Sequence, residues 1–120
     1  APLLQISRII LAENRPVAFL IDVLPEEVLS VADLQHGFTG SVLDFLIRRG
    51  TPPLDYAFTD LRAVPASAEI ARALEVQRGD VLLMLVAYLY DRSGQVVANT
   101  YSYFLPGYFR FHVVRRIPEL

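Results

Sequence analysis

The sequence predicts an α+β domain, a mostly antiparallel six-stranded sheet with short helices on one side. Three observations predict it. Apolar runs rich in Ile, Leu, Val and aromatic residues recur along the chain, separated by short polar turns, so hairpins dominate. Only two segments set apolar residues at helical spacing behind a serine cap. At 120 residues the chain has the size of one domain and can bury roughly two-thirds of its unfolded surface without a metal or disulfide.

The elements follow in order. Leu3 to Leu11 is apolar, interrupted at period two by Gln5 and Ser7, which is a strand pattern. Glu13-Asn14-Arg15 makes a polar tip, and Pro16 to Leu24 returns as the second strand, ended by Pro25. Residues 26–40 read as short helical or irregular structure punctuated by Gly37 and Gly40. Ser41 caps a helix running to about Arg49, with Val42, Phe45 and Leu46 on its buried face and Arg49 at the wet edge. Arg48 and Arg49 suit the last turn, Gly50 the left-handed position after it, and Pro52-Pro53 stops any continuation.

Leu54 to Val64 is a third strand of poor alternation. Ser67 caps a second short helix that buries Ile70, Ala71 and Leu74, and Gln77 to Asp80 is a turn. Val81 to Tyr90 is apolar throughout, as in a strand covered on both faces. Asp91-Arg92-Ser93-Gly94 is a tight connection with Gly94 left-handed, leading into Gln95 to Phe104. Pro106-Gly107 breaks that strand, and Tyr108 to Val114 is expected to close the sheet as its sixth. There is no internal repeat or low-complexity segment.

Composition narrows the function classes. A net charge of −2 argues against direct binding of nucleic acid, which needs a basic surface. With no cysteine, thiol chemistry and Cys-ligated zinc are excluded, and a cytoplasmic location fits. The most apolar run spans half the length of a membrane helix, and the N-terminus lacks the features of a signal peptide. It also lacks an initiator Met, so the chain reads as a piece of a longer protein. More than half of the residues are apolar, which suggests a buried interface or ligand cavity beyond the monomer core. His36 and His112 have no partner at metal spacing, and neither a Ser-His-Asp set nor an acid pair is present, so no catalytic residue, cofactor or metal is expected.

A series of short motifs runs along nearly the whole chain: Ile6-Ser7-Arg8-Ile9, Arg15-Pro16-Val17-Ala18, Leu24-Pro25, Gly40-Ser41-Val42-Leu43-Asp44-Phe45-Leu46 closed by Gly50, Ala71 to Val76 followed by Gly79-Asp80, Tyr90 to Val97, and Tyr103-Phe104 to Phe111. Each is weak alone, but their order and spacing resemble the UTRA domain, the effector-sensing module of HutC-type regulators in the GntR family. The resemblance implies a chorismate-lyase-like fold spanning residues 1–120, a homodimer, and DNA contact only through an N-terminal winged helix-turn-helix domain outside this chain. Family effectors include phosphorylated sugars, histidine-pathway intermediates, fatty-acyl species and phosphonate-related compounds.

The resemblance also implies where an effector binds. Ser41 stands at a helix start, where unpaired N–H groups and the dipole can hold an anion; it reads either as such an anchor or as a plain cap. Arg8 interrupts an apolar strand, and family domains set an arginine there against anionic groups, although a snorkelling or paired edge residue is the blander reading. Family members that bind sugar phosphates carry polar groups where this chain has Ile10, Leu20, Ala98, Phe104 and Leu105. That loss predicts an effector more apolar than a sugar phosphate, with one acidic group held by Arg8 and Ser41, unless the apolar residues simply fill the space. Thr100 and Ser102 share strand parity with Ala98 and Phe104 and remain as candidate polar contacts. Asp22 could reach the pocket by parity but reads as an exposed acid. The functional expectation is a sensor and dimerisation domain, not an enzyme. The alternatives are a chorismate-lyase-like enzyme, which the scarcity of charged groups disfavours, and a dimerisation module with a degenerate pocket.

Overall fold

Glu13 and Asn14 both adopt positive φ, so strand β1 (Leu3–Ala12) turns tightly into β2 (Arg15–Pro25), with Ala12 paired to Arg15. The computed structural model describes residues 2–35 and 41–118; the expected punctuation at Gly37 and Gly40, and His36, lie outside them. After β2 come α1 (Val31–Gln35), α2 (Val42–Arg49), β3 (Leu54–Pro65), α3 (Ala68–Leu74), β4 (Val81–Asp91) and β5 (Val96–Phe104).

Both expected caps form. The Ser41 hydroxyl accepts the Asp44 N–H at 2.9 Å, and the Ser67 hydroxyl accepts the Ile70 N–H at 3.2 Å. Gly50 ends α2 at φ 82°, where its N–H reaches the Leu46 carbonyl. A side chain at that backbone angle would be strained, which is why glycine stands there. Arg49 is less free than its place at a wet edge suggests. Its guanidinium bonds the Thr51 carbonyl at 2.8 Å, Asp33 at 3.3 Å and the Val28 carbonyl, tying the end of α2 to α1 and the chain before it.

The sheet is antiparallel throughout, in the order β1-β2-β5-β4-β3. Two expectations are corrected. Five strands form among the described residues rather than six, because β5 already has β2 and β4 on its two sides. The segment after β5 therefore meets no free edge beside it. Pro106-Gly107 turns it back, and Phe109 and Phe111 pack edge-on against Phe104 at ring distances of 4.5 and 5.4 Å instead of entering the sheet.

The helices also lie on both faces, not one. On one face α3 buries Ile70, Ala71 and Leu74 against Phe19, Leu82 and, at the margin, Tyr103. On the other, α2 buries Val42 and Leu46 against Leu24 and Ala98, with Leu89 alongside. Strand parity requires this division: Phe19 and Leu24, like Ala98 and Tyr103, project to opposite sides of their strands. The face under α3 is filled with side chains. The face under α2 is only partly covered, since α2 reaches across one end of it.

Candidate functional site

The cavity lies where α2 leaves the sheet uncovered. Its floor is set by register: Arg8 of β1 pairs with Leu20 of β2, Leu20 with Ser102 of β5, and Ser102 with Leu85 of β4. One step along, Asp22 pairs with Thr100 and Thr100 with Ala87. Residues paired across neighbouring strands project to the same face, so these two rows form a continuous patch. The first turn of α2, Ser41 to Leu43, supplies a wall, and Leu89, Ala98 and Phe104 complete the lining of a space of about 320 Å³.

Arg8, Leu20, Ser41, Ala98, Thr100, Ser102 and Phe104 thus all face one cavity. Of the remaining positions where sugar-phosphate binders are polar, Ile10 shares the face of Arg8 but is exposed and outside the lining, and Leu105 packs on the opposite face with α3. The sequence reading missed Val42, Leu43, Leu85, Ala87 and Leu89; the β4 residues follow from the register, which no local pattern reveals.

Asp22 is the substantive correction. Read as an exposed acid, it is 4% exposed and part of the cavity wall. Thr100 donates its hydroxyl to Asp22 Oδ1 at 2.9 Å, and the Arg8 guanidinium comes within 3.6 Å of Oδ2, a charge contact longer than a hydrogen bond. Oδ2 itself accepts no hydrogen bond. Burial pushes the Asp22 carboxyl above its ordinary value, against the opposing pull of Thr100 and Arg8. The signal was present in the sequence, because Asp22 shares parity with Leu20, but residue type outweighed position. Arg8 and Ser41 are therefore not the only anchors for charge.

At Ser41 the hydroxyl oxygen is used by the Asp44 N–H, which leaves its own O–H to donate, and the first N–H groups of α2 have no partner within the helix. A second, larger hollow of about 520 Å³ lies near Arg49, Thr51, Asp91 and Gln95. Its two central charged groups are already engaged: Arg49 as above, and Asp91 with Ser93 and the Gln95 N–H in the β4–β5 turn. A ligand paired with Arg49 or Asp91 there would displace structural bonds, so the smaller cavity is the better candidate site. Among the described residues no group of three His, Cys, Asp or Glu could hold a metal.

The UTRA domain family matches over residues 1–110. The chain belongs to the UTRA family. UTRA domains are the effector-sensing modules of GntR-type transcription regulators, and the chain is one of them. Solved structures agree in fold. A GntR-family transcriptional regulator from Enterococcus faecalis superposes with a TM-score of 0.78 at 22% identity, covering 94% of this chain and 81% of that one. The ligand-binding domain assigned to a GntR-family regulator from Bordetella bronchiseptica gives 0.81 at 20%, covering 95% and 74%. The effector-binding domain of the Bacillus subtilis trehalose repressor gives 0.80 at 16%, covering 98% and 81%. No match is found among curated proteins. No helix of the described residues is long and apolar enough to cross a membrane.

Proposed function

We propose that this UTRA domain senses a small, mostly apolar effector with one acidic group, held in the cavity between the sheet and the start of α2. In this reading it serves a cytoplasmic HutC-type regulator, acts as a homodimer, and controls DNA through a separate winged helix-turn-helix domain. A ligand acts through its differential affinity for two dimer arrangements, so a few kcal/mol at the cavity is enough to loosen or tighten DNA binding.

The observation that carries the reading is the lining itself. Leu20, Val42, Leu43, Leu85, Ala87, Leu89, Ala98 and Phe104 offer no hydrogen bonds, while Arg8 and the start of α2 supply donors for an acid. A sugar would leave hydroxyls unpaired against this wall, at about 1–3 kcal/mol each. The same scarcity of charge favours binding over a lyase reaction on a dicarboxylate.

Isothermal titration of the chain with octanoate and with glucosamine 6-phosphate separates the possibilities. Octanoate is expected to bind and the sugar phosphate is not. Micromolar affinity for glucosamine 6-phosphate would contradict the proposal.

A further inference from the structure

The charges of the cavity balance without a ligand. Among the described residues lining it, Arg8 and Asp22 are the only ionisable groups, one of each sign. A simple carboxylate bound at Arg8 would add a negative charge beside the buried Asp22 and leave the apolar cavity with a net charge, which a medium of low dielectric opposes. A ligand that carries its own compensating cation avoids that penalty.

The geometry provides a place for such a cation. Asp22 is more than nine-tenths buried in the cavity wall, its Oδ1 is fixed by Thr100, and its Oδ2 accepts no hydrogen bond, with the Arg8 guanidinium 3.6 Å away. An orphaned acceptor in an interior costs free energy unless something donates to it. Thr100 cannot also serve Oδ2, since its single hydroxyl proton is spent on Oδ1.

We infer that the effector is a zwitterion, an α-amino acid with an unbranched apolar side chain, whose ammonium pairs with the Asp22 carboxylate while its own carboxylate is held by Arg8 and the start of α2. This rests on the proposed effector site and adds the ligand's second charge. Four charges then alternate, Arg8, ligand carboxylate, ligand ammonium and Asp22, and the alkyl chain lies against Leu20, Leu85 and Ala87. A space of about 320 Å³ holds about ten non-hydrogen atoms at the volume a water molecule takes in the liquid, the size of a medium-chain amino acid.

The test titrates the chain with L-2-aminooctanoate and with octanoate, which differ in the ammonium alone. The amino acid should bind about tenfold tighter, as expected for a hydrogen bond between charged groups. In Asp22→Asn, which keeps shape and removes charge, the preference should vanish or reverse while octanoate binding is kept or strengthened. Octanoate binding as tightly as the amino acid to the native chain overturns the zwitterion inference and leaves the effector site standing. A preference that survives in Asp22→Asn also overturns it. Binding of neither probe overturns both.

Discussion

Ser41 and Ser67 do the same local work, each accepting an N–H three residues on at the start of a helix. They differ in surroundings, since Ser41 faces the cavity and α3 lies across the sheet from it. That makes Ser67 an internal control for Ser41. Replacing either by Ala should lower unfolding stability by about 0.5–2 kcal/mol in urea titrations. Only Ser41→Ala should also weaken octanoate binding. Equal loss of binding in both variants, or in neither, would mean that Ser41 is a cap and nothing more. At this scale residue type was a reliable guide where the role was local, as for the two caps and Gly50. It misled for Asp22, because the partners that allow burial of an acid, Thr100 and Arg8, come from other strands.

At the scale of elements, β3 stands apart. It is twelve residues long, pairs with β4 alone and exposes Tyr56, Phe58 and Leu61 at the edge of the sheet. Long apolar edges invite pairing with another chain. Beyond Phe111 the segment after β5 is also exposed, with Val113 at 89% and Ile117 at 90%. Together they support the proposed homodimer. Sedimentation equilibrium should show a dimer at micromolar concentration, and the double variant Phe58→Glu, Leu61→Glu should be a folded monomer by the same measurement and circular dichroism. A native chain that sediments as a monomer would remove the dimer from the account. The hairpins, caps and helices were legible in sequence because their signals are local. The missing sixth strand was not. Tyr108 to Val114 has strand composition, but whether it pairs depends on the sheet order, which places β5 between two neighbours.

Across the whole molecule the sheet divides labour between its faces. The α3 face is packed with side chains and stabilises the fold, while the α2 face leaves a cavity beside buried charge. The sequence reading placed both helices together because alternation identifies two faces of a strand without saying which helix covers which. Six of the seven candidate residues converge because they share parity on neighbouring strands, and Ser41 joins them through the placement of α2. The central claim is the location of the effector site. The most direct measurement is the map of backbone amide shifts of the isotope-labelled chain during titration with octanoate. The account predicts that the shifts concentrate at Leu20, Asp22, Ser41 to Leu43 and Ala98 to Phe104. Shifts gathered instead around Arg49, Thr51, Asp91 and Gln95 would place the ligand in the other hollow and contradict it.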